Sequence, residues 1–127
     1  MGYYSDVAIG MEKCETVKFL SVMSNKWKDG FLFDCYELRQ FEKYDVLYWR
    51  EVKWYDDDPE VQDVEEYLYE LQGQEKPVAF LRLGQDLEDI EERASDDGWD
   101  IFNTCFWLNR SIGFAESVSL TAASTEI

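Results

Sequence analysis

Three carboxylates, Asp56, Asp58 and Glu60, alternate along the chain much as oxygen ligands do in a calcium-binding loop. The EF-hand pattern also needs a glycine at its sixth position for a sharp turn, and this chain has Val61 there. An aspartate directly before Pro59 has a simpler use, as the cap of a helix whose first position is proline. The pattern therefore predicts no metal site. Paired acids further on, Glu88 with Glu92 and Asp89 with Glu91, carry groups suited to acid–base work. They sit in a crowded polar run, however, with no nucleophile or pocket signature beside them. The 127 residues include no histidine, which removes the commonest general base, the Ser-His and Cys-His nucleophile pairs, and most zinc and non-haem iron sites. No phosphate-cradling glycine loop ending in Gly-Lys-Ser or Gly-Lys-Thr is present. Cys14, Cys35 and Cys105 are odd in number and far apart, which suits buried reduced thiols better than a disulfide frame or a zinc site. The expectation is a protein that is not an enzyme and carries no cofactor.

What the carboxylates offer instead is a field. From Asp56 to Asp100 there are 17 acids against three bases, Lys76, Arg82 and Arg93, so this stretch carries −14 of the chain's −16. Such concentration steers cationic partners and repels nucleic acid and anionic membranes. On a helix, neighbouring carboxylates lie about 5–6 Å apart, so Asp63, Glu66 and Glu70 predict a row of charges. Asp56, Asp57, Asp58 and Glu60 precede the row, and Asp86, Glu88, Asp89, Glu91 and Glu92 extend it toward a patch able to stand in for a phosphate backbone.

The second candidate surface is aromatic. Tyr48, Trp49, Trp54 and Tyr55 cluster in and directly after one predicted strand, with Trp27, Trp99 and Trp107 elsewhere. Strict alternation places Tyr48 and Trp54 on one side of the sheet and Trp49 and Tyr55 on the other. With helices on one face only, one set belongs to the core and the other is left for a homodimer contact or a partner anchor.

The elements that must position these residues are read from periodicity and turn signals. Residues 3–10 predict a strand closed by Gly10. Residues 11–24 predict a helix with Cys14, Val17, Leu20 and Met23 on its apolar side, and 25–30 a loop. Residues 31–39 and 44–54 predict an antiparallel hairpin. A helix starts after Asp58, with Val61, Val64, Leu68 and Leu71 as its apolar stripe and Gly73 as its stop. Residues 77–83 predict a strand and 85–93 a short acidic helix or loop with Leu87 and Ile90 inward. Residues 99–114 predict a final strand bent near 109–111. The fold expectation is α+β: an antiparallel sheet of about five strands with two helices on one face, in the ferredoxin-like order β-α-β-β-α-β-β. It forms one domain over 1–114, with 115–127 a loose tail. No apolar run approaches the roughly 20 residues of a membrane span, and the first residues lack a signal peptide's basic and apolar regions, so cytoplasmic residence is expected.

Four segments, GYYSDVAI (2–9), DVLYWREVKWYDDDPEVQDVEEYL (45–68), AFLRLGQDLEDIEE (79–92) and WLNRSI (107–112), give the chain a resemblance to a loose family of small acidic proteins encoded in bacteriophage and prophage genomes. The resemblance covers most of the first 112 residues and brings no catalytic motif. It implies a host-defence inhibitor, of anti-CRISPR or anti-restriction type, that occupies the nucleic-acid or assembly surface of a host protein or ribonucleoprotein complex. The partner implied has a basic surface, and direct nucleic-acid or membrane binding is not expected. The alternative is a small phage accessory or structural protein that self-associates through its aromatic strands, its acidity serving solubility.

Overall fold

The computed structural model describes residues 2–28, 30–86, 88–108, 112–115 and 119–122. Its first strand, β1 (Ser5–Glu12), runs into helix α1 (Lys13–Lys26), and a single 3-10 turn (Leu32–Asp34) leads to the hairpin of β2 (Glu37–Gln40) and β3 (Tyr44–Val52). Helix α2 (Pro59–Gly73) returns the chain to β4 (Val78–Gly84), which pairs with β5 (Ile90–Ala94). A second 3-10 turn (Asp96–Gly98) precedes the short helix α3 (Trp99–Thr104), a two-stranded ribbon of β6 (Phe106–Leu108) and β7 (Ile112–Phe114), and β8 (Ser119–Ala122).

The architecture is mixed α+β around one antiparallel sheet, as its alternation of elements predicts. Five strands lie in the order β5-β4-β1-β3-β2, and β8 extends the sheet beyond β2. Alternate residues of the central strands feed two cores. Val7, Ile9 and Met11 of β1, Leu47 and Trp49 of β3, and Phe80 of β4 meet Phe19 and Met23 of α1 and Val61, Val64, Leu68 and Leu71 of α2. On the other face Ala8, Val46, Tyr48, Ala79 and Leu81 meet Ile101, Phe102, Cys105, Phe106 and Ile112. Residues such as Phe19 and Ile9, with no exposed surface, each contribute about 1.5–3 kcal/mol by leaving water.

The helix α2 forms as its capping signals predict. Asp58 is extended and its Oδ1 accepts the Glu60 N–H at 2.9 Å, with Pro59 at the first helical position. Elsewhere the chain departs from expectation for identifiable reasons. On α1 the buried residues are Glu15, Thr16, Phe19 and Met23, while Cys14 and Val17 face water. At about 100° per residue, three steps of three residues carry Met23 half a turn around from Cys14, so that spacing cannot hold one side.

Residues 31–36 make a turn rather than a strand start. Leu32 is pinned there between elements: its N–H donates to Glu60 Oε2 at 3.1 Å, and its carbonyl accepts Trp49 Nε1–H at 2.6 Å. Ile90–Ala94, expected within a helix or loop, is a strand because β4 offers it a partner. The expected final strand over 99–114 is broken into α3 and the β6–β7 ribbon, which cover the second sheet face. Ser119–Ala122, expected in a loose tail, pairs with β2. The bend at 109–111, Leu87 and the rest of the tail at 116–118 and 123–127 lie outside the described residues.

The strand β3 also overturns the expected phase of its aromatics. Val7 opposes Trp49 but Ser5 opposes Val52, so β3 holds one residue more than β1 between those pairs. This is a β-bulge. Within it Glu51 has φ +50° and donates its N–H to Asp6 Oδ1 at 2.9 Å. The extra residue reverses the alternation, so Trp54 joins Trp49 in the same core with ring centroids 5.9 Å apart.

Candidate functional site

The sheet order brings the two acidic segments together. The helix α2 packs over β4, β5 lies outside β4, and Arg93 of β5 reaches across to α2. Its guanidinium pairs with Glu65 and with Glu91 at 3.0 Å, donates to the Tyr69 hydroxyl at 2.9 Å, and lies over the Phe80 ring at 4.2 Å. Arg82 of β4 ties down the turn between β4 and β5, donating to Asp89 at 2.7 and 3.0 Å and to Glu91 at 3.2 Å. The Tyr3 hydroxyl donates to Asp89 at 2.6 Å and accepts the Asp86 N–H at 3.1 Å. The Arg82 guanidinium, with the Tyr3 hydroxyl, holds the Asp89 carboxyl down to about 2. Lys76, the remaining base of the acidic stretch, is drawn to the buried Glu15 of α1 at 2.8 Å.

Each of the three bases is thus committed to a structural carboxylate, and the predicted site residues divide accordingly. Asp58 is a helix cap, and Glu60 is buried with its carboxylate on the Leu32 amide. Asp56, Asp58 and Glu60 therefore do not converge on a common centre. Among the described residues no group of three Cys, Asp or Glu side chains is placed to hold a metal ion. Asp63 sits on the flank of α2 beside α1, accepting Trp27 Nε1–H at 2.9 Å and pairing with Lys26 at 2.7 Å. Asp89 and Glu91 belong to the arginine network. Asp56, Asp57, Glu66, Glu70, Asp86, Glu88 and Glu92 are exposed, and among the described residues no ion pair neutralises them. Glu66 lies diametrically opposite the apolar stripe of α2 and Glu70 close beside it. At the start of α2, a shallow groove of about 360 Å³ runs between Asp56, Gln62, Glu66 and the exposed ring of Tyr69.

The patch is not a single face. The β4–β5 register pairs Phe80 with Arg93 and Leu81 with Glu92, so Arg93 lies on the α2 side and Glu92 on the other. The acidic residues therefore wrap around the β5 edge of the sheet. The other predicted surface is closed: Tyr48, Trp49 and Trp54 are buried, and the half-buried Tyr55 accepts the Tyr3 N–H on its hydroxyl at 2.8 Å. Both sheet faces are covered, and the bulge turns Trp54 inward beside Trp49.

Arg82, Arg93, Tyr3 and Tyr69, which organise the edge, carry no motif. Their one signal was scarcity, since arginines within so acidic a segment must be surrounded by carboxylates. The Cys105 thiol is buried and pushed up to about 12, the reverse of an activated cysteine. No helix among the described residues is long and apolar enough to cross a membrane. No protein-family model matches the chain, and comparison with curated proteins and with solved structures finds no match.

Proposed function

We propose that this chain is an inhibitory binding protein that uses its acidic sheet edge to occupy a basic surface on a host nucleic-acid-handling complex. The concrete form is a phage-encoded anti-CRISPR or anti-restriction protein acting in the cytoplasm of the infected bacterium. The observation that carries the reading is the commitment of Lys76, Arg82 and Arg93 to structural carboxylates, which leaves Glu66, Glu70, Glu88 and Glu92 around one edge with no ion-pair partner among the described residues. A groove evolved for Lys and Arg contacts with phosphate meets in such an edge a rigid, pre-paired anionic surface. We also read β1-α1-β2-β3-α2-β4 as a ferredoxin-like unit, supported by the strand order β4-β1-β3-β2.

The alternative of self-association through aromatic strands is weakened, because Tyr48, Trp49 and Trp54 are buried within the chain and Tyr55 is half-buried. The test is inhibition of a CRISPR effector or restriction enzyme of the bacterial host by the wild-type chain and by a Glu66→Lys/Glu70→Lys double variant. Like charges brought together at an interface cost several kcal/mol. The double variant should therefore lose at least about thirtyfold in affinity, which corresponds to about 2 kcal/mol, and wild-type binding should weaken steeply with salt. Unchanged inhibition by the double variant would refute the charge mechanism.

A further inference from the structure

The strand β5 is the outer strand of the sheet, and among the described residues nothing pairs with its far side. Which of its main-chain groups face outward follows from the ladder. Gly84 N–H donates to the Asp89 carbonyl at 2.8 Å, and Ser95 N–H to the Val78 carbonyl at 3.0 Å. In an antiparallel pair, bonded and non-bonded positions alternate. With the register of β4 and β5, Glu91 and Arg93 therefore bond to β4, while Ile90, Glu92 and Ala94 turn their N–H and C=O groups outward. The Ile90 N–H is spent on the Glu88 carbonyl at 3.1 Å, and the Ala94 carbonyl accepts Gln72 Nε2–H at 3.3 Å. The Ile90 carbonyl, both groups of Glu92 and the Ala94 N–H are left, a set that one antiparallel strand centred on Glu92 would satisfy with four hydrogen bonds.

The side chains around this edge say what kind of strand fits. Glu88 and Glu92 are exposed carboxylates, Ile90 is a large apolar side chain 43% exposed, and beyond Ala94 lies an acidic concavity of about 430 Å³ lined by Gln72, Glu75, Ser95, Asp96 and Asp97. A second copy of this chain is a poor occupant. Antiparallel self-pairing about Glu92 sets that carboxylate against its own image, and two chains of net charge −16 repel. We infer that the β5 edge takes up an extended, arginine- or lysine-bearing segment of a partner protein by strand addition, with main-chain bonds giving affinity and the carboxylates selecting for basic side chains. This deepens the acidic-edge reading and rests on it.

The probe is a synthetic peptide of alternating arginine and valine, compared with the same peptide N-methylated at its arginines, which keeps the charge but removes the main-chain donors of the residues set opposite Ile90, Glu92 and Ala94. Titration should show the unmodified peptide binding at least about tenfold more tightly, and hydrogen exchange should show the fast Glu92 amide becoming protected. Glu92→Pro removes an outward N–H that β4 does not use. With native circular dichroism, that variant should lose at least about tenfold in affinity for the unmodified peptide. Equal binding of both peptides would overturn strand addition while leaving the charged-edge reading intact, because that reading is tested separately at Glu66 and Glu70. Absence of any peptide binding, or Glu92 protection that appears without peptide as the chain dimerises, would also overturn it.

Discussion

Asp89 shows at the scale of one residue how an acidic segment is made to fold. Arg82 and Tyr3 grip its carboxylate from β4 and from the N-terminal segment, and its carboxyl lies near 2 instead of the ordinary 3.8. A depressed folded-state value stabilises the protein above the ordinary one, and that contribution is lost as pH falls from about 4 toward 2. The side chain remains 33% exposed, so solvent screening limits the effect to about 1 kcal/mol. Asp89→Asn should therefore lower stability to denaturant by about 1 kcal/mol at pH 7, with the gap from wild type closing between pH 4 and pH 2. A gap independent of pH would mean the carboxylate's charge is not what Arg82 holds. Asp58 was legible as a cap because its partner, Glu60 N–H, is two residues away. Glu60 and Asp63 were not, because the groups that claim them, Leu32 and Trp27, lie 28 and 36 residues distant.

At the scale of elements, what was legible tracks how local the determining forces are. The helix α2 carries its own cap, proline, stripe and stop, and it forms where expected. The strand β5 is polar and charged, and it becomes a strand only because β4 is beside it. The layer of α3 and the β6–β7 ribbon is not legible in the sequence, because its aromatic content fits a single strand as well. That layer approaches the sheet closely at Gly10 in the middle of β1, where a Cβ would come within 2.6 Å of Ile101 Cγ2 and 3.2 Å of Phe106 Cε1. Gly10→Val should thus force α3 outward and cost about 1–3 kcal/mol, read as a drop in melting temperature with increased dye binding to the second core. A melting temperature equal to wild type would mean that α3 is not held against β1 as described.

For the whole molecule the separation of charge is the dominant quantity. The concentration of acids in one segment was readable by counting. Their wrapping around a sheet edge was not, because it depends on β5 lying outside β4 and on a register that sends Glu92 and Arg93 to opposite faces. With the bases of that segment already paired, the remaining carboxylates mainly repel one another, which opposes the compact state. Screening should relieve this. Raising sodium chloride from about 10 to 300 mM shortens the reach of exposed charges from about 30 Å to below 10 Å, and the melting temperature should rise. A fall would mean that the surface ion pairs, such as Arg50 with Glu37, outweigh the repulsion.

The bulge in β3 has a consequence for how this chain can change over generations. Because the extra residue at Arg50–Glu51 alone sets which side of the sheet Trp54 faces, the segment is constrained in length rather than in identity. Arg50 and Glu51 are both exposed; Arg50 makes only a surface pair with Glu37 at 3.8 Å and a contact over the Tyr48 ring, the kind of contact that tolerates exchange, and glycine at 51 would even ease the positive φ. The loss of a single codon there would turn Trp54 out of the core, so relatives of this chain should differ in these letters and agree in their number.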